Sequence, residues 1–119
     1  MTKSMNKSLD KPDETITEEY PQAKAELLHI GNWNVYHLTM DPGWRLSKHA
    51  GPMLGTETCQ DEHPLWMVLS GRFAVQMDGK KVEFGPGDVG YLLPGYDAWV
   101  IGDEPVIAID LQPQNPKGS

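Results

Sequence analysis

The apolar and polar residues alternate along the chain in a way that is typical of short β-strands. RFAVQM (72–77) switches strictly between large apolar side chains and polar or small ones, as an extended segment with one buried face does. An Asp-Gly pair follows at 78–79 and is a strong signal for a two-residue hairpin turn. KKVEF (80–84) then returns, so the pattern predicts an antiparallel hairpin with Val82 and Phe84 facing inward.

Comparable short runs recur through the rest of the chain, separated by glycine and proline. They are ELLHI and NVYHLTM around a Gly-Asn turn, an extended piece starting at 45–48, LWMVLS, VGYLL, AWVI and VIAIDL. No convincing amphipathic helix is present, although DETITEEY (13–20) is compatible with a short helix that Pro21 would end. About eight or nine strands at this spacing predict an all-β antiparallel sandwich or barrel.

The length of 119 residues suits a single domain. The first 22 residues are polar and have few apolar anchors, which predicts a flexible N-terminal arm at 1–22. The strand pattern places the domain at 23–112, and the remaining 113–119 is expected to be a flexible tail.

Composition narrows the class of partner. The 10 basic and 17 acidic residues give a formal net charge of -7, which argues against nucleic acid and against an anionic membrane surface. A single cysteine excludes an intrachain disulfide. No apolar run reaches the roughly 20 residues that a spanning helix needs, and the N-terminus lacks the apolar core of a signal peptide. The expectation is a cytoplasmic protein.

The segment ETCQDEH (57–63) gathers potential metal ligands before an apolar strand. If it is extended, one face carries Glu57, Cys59, Asp61 and His63, because side chains alternate along a strand. Thiolate, imidazole and carboxylate groups bind Zn, and His49 on a neighbouring strand is a further candidate ligand. Cys59 and His63 would lie about 13 Å apart, which argues against a direct thiol–imidazole catalytic pair. The alternative is that the segment is only a polar loop.

The order of the turns resembles that of the cupins, small double-stranded β-helix or jelly-roll proteins. GRFAVQMDGKKVEFGPGDVGYLLPGYDAW carries the likeness, which extends over about residues 25–111. PGWRLSKHAGP, GTETCQDEH and PGYDAWVIGDEP further resemble a subgroup of uncharacterised bacterial cupin-domain proteins. The resemblance implies a jelly-roll barrel with a site in its interior.

The metal motif of cupins matches this chain only in part. Aligned on that motif, His63 would replace the usual glutamate, and the two histidine positions fall on Glu57 and Cys59. Tyr96 and Ala98 occupy the positions where a second-motif histidine is expected. The usual three-histidine, one-glutamate set is absent, which argues against an Fe(II) dioxygenase-type site. The chemistry of the residues present still predicts a divalent metal (Zn, Fe, Ni or Mn) on His49, Glu57, Cys59 and His63.

Aromatic residues are candidates for the walls of a pocket. Trp44, Tyr96 and Trp99 are assigned to it, although large rings also serve simply to fill a core. Asp88 is expected to fix a turn and Arg45 to form a surface ion pair. His29 and His37 are interpreted as structural.

Three functions remain open at this point. The first is a barrel that binds a divalent metal and a small molecule, with the reaction and any catalytic residue unknown. The second is a metal-free sensor or carrier of a small molecule. The third is a structural module that dimerises through its strands, and a homodimer is expected in any case.

Overall fold

A computed structural model describes residues 4–16, 22–50 and 62–114. Within these ranges the chain is all-β, as the pattern predicts, and no helix is long and apolar enough to cross a membrane. The strands are β1 (Glu14–Ile16), β2 (Ala23–Ile30), β3 (Trp33–Met40), β4 (His63–Ser70), β5 (Arg72–Met77), β6 (Lys80–Phe84), β7 (Val89–Leu92), β8 (Asp97–Ile101) and β9 (Val106–Pro113). One π-helical turn, Leu46–Ala50, precedes β4.

The strands form two antiparallel sheets. One has six strands in the order β1-β2-β3-β9-β4-β7, and the other has three in the order β6-β5-β8. Their inner faces pack together, and the rings of Trp66 on β4 and Phe73 on β5 lie 5.3 Å apart across the core. Val68 and Val106 are fully buried beside them. Between β4 and β9 the chain passes repeatedly from one facing sheet to the other, as in a jelly roll.

The predicted β5–β6 hairpin is present. Asp78 and Gly79 both have positive φ, 54° and 77°, which the two central residues of a type I′ turn require. Phe84 is buried as expected, but Val82 is 56% exposed, because β6 is an edge strand beside an opening in the barrel.

The two sheets are joined at Gly71, between β4 and β5. Its φ of 80° lies in the left-handed region, and a Cβ atom there would stand 2.4 Å from the carbonyl oxygen of Pro105. The chain therefore turns from one sheet into the other at a point where only a glycine fits.

The extended piece predicted from residue 45 is wrong beyond Arg45, because Leu46–Ala50 forms the π-helical turn. Asp97 on β8 accepts hydrogen bonds from the Ser47 backbone N–H (3.0 Å) and hydroxyl (2.9 Å). Arg45 donates to the same carboxylate at 2.8 Å, which is the ion pair expected of it, with Asp97 as partner. These bonds favour a tight turn over a strand.

The helix considered for 13–20 is also wrong where the structure describes it. Residues 14–16 form β1, which pairs with β2 in the register Glu14↔Leu27 to Ile16↔Ala25. Thr15 and Ile16 are β-branched and favour a strand, and the edge of β2 supplies the backbone partners. This part of the predicted arm is thus attached to the sheet.

The attachment of β1 includes a histidine–carboxylate contact. His29 Nε2 lies 2.9 Å from Glu14 Oε2, and His29 Nδ1 lies 2.7 Å from Asn34 Oδ1. The Glu14 carboxylate, followed by Asn34, raises the pKa of His29 above its usual value of 6.5. Both contacts suit a protonated ring, which donates through both nitrogens.

We expect the attachment of β1 to β2 to be more stable at acidic pH than at basic pH. A raised folded pKa means that the contribution is fully present below pH 6.5 and is lost as the pH rises through the raised pKa. Amide exchange at Glu14–Ile16, corrected for the intrinsic pH dependence, should show less protection at pH 8.5 than at pH 5.5. Since both groups are exposed, the change will be modest. Glu14→Gln should abolish it; an equal pH effect in that variant would contradict the assignment.

Candidate functional site

His63 opens β4 and points to a buried carboxylate. Its Nδ1 lies 2.7 Å from Oδ2 of Asp110 on the neighbouring strand β9. The two side chains are only 16% and 4% exposed. Asp110 faces inward because it alternates with Val106 and Ala108, which are both fully buried. A sequence-predicted site residue is therefore held inside the barrel by a partner that sequence analysis did not identify.

Gln112 completes this cluster. Its Nε2 lies 3.1 Å from Asp110 Oδ2 and 2.9 Å from His63 Nδ1. An ionised carboxylate only accepts, so we assign the Nδ1 proton to the bond with Asp110 and the Gln112 amide as a second donor to that oxygen. His63 then carries its lone pair on Nε2, the atom that would accept a proton or bind a metal.

Two aromatic rings bracket the imidazole. The ring centroids of Trp66 and Tyr96 lie 6.1 and 6.0 Å from that of His63, both edge to face. Trp66 and Tyr96 are themselves buried. The histidine is thus fixed both by hydrogen bonds and by packing, as a binding or reactive group requires.

Asp110 has one carboxylate oxygen that the described residues do not satisfy. Oδ1 is buried and has no hydrogen-bond partner in the described part of the chain, and the same is true of Nε1 of Trp66. Trp66 and Asp110 lie directly opposite each other on β4 and β9. An unpaired polar atom in the interior costs about 1–3 kcal/mol, so such atoms usually have a partner. A molecule bound here would therefore find an acceptor in Asp110 Oδ1 and a donor in Trp66 Nε1.

A cleft of about 720 Å³ opens between the edge strands β6 and β7. Its walls are mainly apolar, with Val75, Met77, Val82, Phe84 and Leu92 among them, and Asp78, Lys80 and Glu83 add charge. Tyr96 lines the cleft and contacts the ring of His63. It is the residue common to the cleft and the histidine cluster, as its assignment to a pocket anticipates.

The other two residues assigned to a pocket lie elsewhere. Trp44 is in the core, with its ring 6.2 Å from that of Phe73. Trp99 is half-buried on the outer face of β8, where the Arg45 guanidinium lies 4.6 Å from its ring centroid. Neither lines the cleft.

The remaining predicted metal ligands cannot be placed beside His63. Glu57 and Cys59 lie outside the described residues, as does the side chain of His49, whose backbone belongs to the π-helical turn. Across 4–16, 22–50 and 62–114, no three potential ligands of the His, Cys, Asp or Glu types lie together. The metal assignment stays a prediction.

Other side chains singled out in the sequence have structural contacts. Asp88 accepts a 2.7 Å hydrogen bond from the Gly85 backbone N–H and so fixes its turn as predicted. His37 Nδ1 lies 3.3 Å from Glu26 Oε1, close enough for an ion pair but outside hydrogen-bond geometry. His37 is opposite Ile109 on β9, one position from Asp110, and therefore on the outer face of the sheet.

VIAIDL has the sequence pattern of an apolar strand, and neither Asp110 nor Gln112 was predicted from it as a site residue. A signal was available, because alternation places Asp110 on the same face as Val106 and Ala108. A carboxylate at a core position of a strand is rarely buried without a partner. The identity of that partner required the pairing of β4 with β9.

No family model matches the sequence, and no curated protein matches it either. The fold, by contrast, resembles several solved structures. A Cupin 2 conserved barrel domain protein from Salinispora arenicola is 17% identical with a TM-score of 0.61, over 93% of this chain and 88% of that one. A cupin-like protein from Thermotoga maritima is 16% identical with a TM-score of 0.60, over 95% and 86%.

A third similar structure belongs to a longer protein. AerE from Microcystis aeruginosa is 16% identical with a TM-score of 0.60, and the match covers 85% of this chain but only 45% of AerE. Identities this low carry information about fold and not about activity. With the two facing antiparallel sheets and the predicted order of turns, they support one conclusion. This chain has the fold of the cupins.

Proposed function

We propose that this protein binds a small molecule in the cleft between β6 and β7, with its polar end directed past Tyr96 towards His63 and Asp110. The apolar walls of the cleft suit the body of such a ligand, and a few convergent polar groups would fix its orientation. The cytoplasm remains its expected location.

The observation that carries this proposal is the unsatisfied Oδ1 of Asp110. It is an acceptor in a residue that is only 3% exposed, next to a histidine whose orientation Asp110 itself fixes. A ligand hydroxyl or amine would supply the missing donor. Trp66 Nε1 would in turn donate to an acceptor on the ligand.

The finer proposal adds a divalent metal, Zn, Fe, Ni or Mn. Metal-binding histidines usually donate their other ring N–H to a carboxylate, and His63 makes that bond to Asp110. His63 fits as one ligand through Nε2. The described residues supply no complete set, so the others would come from His49, Glu57 and Cys59. A bound metal would polarise the ligand, and Asp110 would orient His63.

The alternative is a metal-free carrier or sensor. It is favoured by Tyr96, a phenol that lines the cleft where the cupin pattern has a histidine nearby. The two functions share the cleft and differ only in what occupies the space beside His63 Nε2.

The test compares wild type with His63→Gln, Cys59→Ser and a control, His37→Gln, on the outer face. Each protein is purified without a nickel column, stripped with EDTA and dialysed against Zn²⁺, Fe²⁺, Ni²⁺ or Mn²⁺. Metal content is then measured, and a metabolite library is screened by tryptophan fluorescence and thermal shift.

We expect wild type and His37→Gln to retain about one equivalent of metal, and His63→Gln and Cys59→Ser to lose it. Wild type holding less than about a tenth of an equivalent, with ligand responses that vanish only in His63→Gln, would assign the metal-free function. If no metal is retained and no compound changes the signal of wild type, the proposed function is wrong.

A further inference from the structure

Two buried residues with unsatisfied polar atoms of opposite kind are neighbours on the inner face of the six-stranded sheet. Asp110 and Trp66 belong to one row across β2, β3, β9 and β4, in which each residue is directly opposite the next; the row is Leu27, Tyr36, Asp110 and Trp66. Directly opposite residues have Cβ atoms about 4.5–5.5 Å apart. Asp110 is 3% and Trp66 4% exposed, and the unpartnered atoms are an acceptor and a donor. Both are therefore available to the polar end of one ligand.

The surroundings of this pair are negatively charged. The walls of the cleft include three carboxylates and one ammonium group, from Asp78, Glu83, Asp88 and Lys80. Asp110 adds a carboxylate in the interior, and its row contains no lysine or arginine. An anionic ligand end would thus meet like charge at the mouth of the cleft and again beside Asp110, where the lower dielectric makes the repulsion stronger.

Charged ligand ends also fail to match the hydrogen-bonding pair. An ammonium group has no lone pair, so it would donate to Asp110 Oδ1 but leave Trp66 Nε1 without an acceptor. It would lose its hydration as well, and an ion pair made in the interior only about offsets that loss. A carboxylate end has the opposite defect, because it accepts from Trp66 but has no proton for Asp110. An uncharged hydroxyl or primary carboxamide both donates and accepts.

We infer that the ligand is a neutral molecule with an apolar body and a hydroxyl or carboxamide end, which donates to Asp110 Oδ1 and accepts from Trp66 Nε1. This inference rests on the proposed function, because it requires that the ligand occupies the cleft. The apolar cleft walls suit the body of such a molecule. Sites built around fixed hydrogen-bonding groups reject molecules that leave those groups unpaired, so the polar end determines specificity.

Four probes with the same apolar body test the class of the polar end. Phenylbutanol and phenylbutylamine have nearly the same shape, and so do phenylbutanamide and phenylbutyrate. Each pair therefore differs mainly in charge and in hydrogen bonding. NMR titration of the full-length protein as purified, at neutral pH, measures the four dissociation constants. The same spectra follow the indole N–H signal of Trp66 and the signals of Tyr96 in the cleft.

Wild type should bind phenylbutanol at least about 10-fold more tightly than phenylbutylamine, because only the alcohol pairs with Trp66 Nε1. It should bind phenylbutanamide at least about 100-fold more tightly than phenylbutyrate, because only the acid brings a like charge to Asp110. Both neutral probes should shift the Trp66 indole N–H signal downfield, as a new hydrogen bond does.

The outcomes separate this inference from the proposed function. A charged probe that shifts the Tyr96 signals and binds as tightly as its neutral counterpart overturns the inference, while the proposed function stands because a ligand then occupies the cleft. If none of the four probes binds, the inference is also wrong, and the metabolite screen decides on the proposed function separately.

The chain offers a matched pair of variants for the role of the indole. Trp66→Phe and Trp44→Phe remove the same atoms from two buried tryptophans, and Nε1 of each has no partner in the described part of the chain. Trp44 packs against Phe73 and lies outside the row that contains Asp110. Circular dichroism verifies that both variants fold.

Trp66→Phe should reduce the preference for phenylbutanol over phenylbutylamine to less than about threefold, because neither probe then has a donor to pair with. The preference for phenylbutanamide over phenylbutyrate should persist, since it comes from Asp110. Trp44→Phe should change neither preference. An alcohol preference that survives Trp66→Phe, or that Trp44→Phe lowers equally, overturns the inference. If Trp66→Phe does not fold, an indole N–H signal that stays unshifted in wild type has the same meaning.

Discussion

Replacing Asp110 with asparagine is expected to weaken Zn²⁺ or Mn²⁺ binding by about 10–100-fold, the usual effect of losing a carboxylate behind a metal-binding histidine. This prediction rests on the proposed function. The asparagine keeps the shape of the side chain but puts an amide N–H₂ group in place of one acceptor. When that group faces His63 Nδ1, the ring accepts there and carries its proton on Nε2, so the lone pair is no longer directed at the ligand.

The tautomer of His63 provides a readout that needs no ligand. Nitrogen-15 NMR should show the Nδ1–H form in wild type and an increased share of the Nε2–H form in Asp110→Asn. Glu26→Gln is the control, because it removes a partly buried carboxylate beside a histidine, His37, on the outer face. If Glu26→Gln weakens metal binding as much as Asp110→Asn, or if the His63 tautomer does not respond, the assigned role of Asp110 is wrong.

Replacing Gly71 with alanine is expected to cost at least about 3 kcal/mol of unfolding free energy, a large part of the roughly 5–15 kcal/mol typical of a domain. The left-handed backbone alone strains an alanine by about 1–3 kcal/mol. The new Cβ would also stand 2.4 Å from Pro105 O and 3.0 Å from Val106 Cα. These are backbone atoms, so relief requires the start of β9 to move away from the junction of the two sheets.

Gly79→Ala separates the two causes of this loss. Gly79 has nearly the same φ, 77° against 80°, but a Cβ added to it would meet no atom within 4 Å. It should therefore show the conformational strain without the clash and lose only about 1 kcal/mol. Urea unfolding followed by tryptophan fluorescence gives both values. Equal losses in the two variants would show that the contact with Pro105 has no effect on stability.

Burial of the Asp110 carboxylate lowers the stability of the fold but serves the proposed function. A buried acceptor without a partner among the described residues opposes folding, and an apolar residue at position 110 would remove that cost. Residues that break the rules of core composition in this way are usually retained for a function.

Much of the fold follows from local pattern. Alternation in RFAVQM and the Asp-Gly pair at 78–79 predict β5, its turn and β6, because side-chain direction and positive φ are local properties. Where the prediction fails, the local structure is set by contacts with residues that are distant in the sequence. Residues 46–50 turn because Asp97, some 50 positions later, binds Ser47, and Glu14–Ile16 extend because β2 offers an edge.

Some residues of the candidate site were likewise identified from the sequence, and others only from the structure. His63 was identified from the chemistry of its neighbours in the sequence, and Tyr96 from its place in the cupin pattern. Asp110 and Gln112, which contact His63, were not identified. They lie 47 and 49 positions after it in the sequence, and no local pattern shows that their strand pairs with β4.

The sequence by itself determined that this chain forms short antiparallel strands with one apolar face each, because alternation and turn chemistry act over a few residues. It also predicted which groups would bind a metal or a ligand. Only the tertiary structure decided which of them meet. Strand order and register are set by how two sheets bury their apolar faces together, and that packing brings β9 beside β4 and so Asp110 to His63.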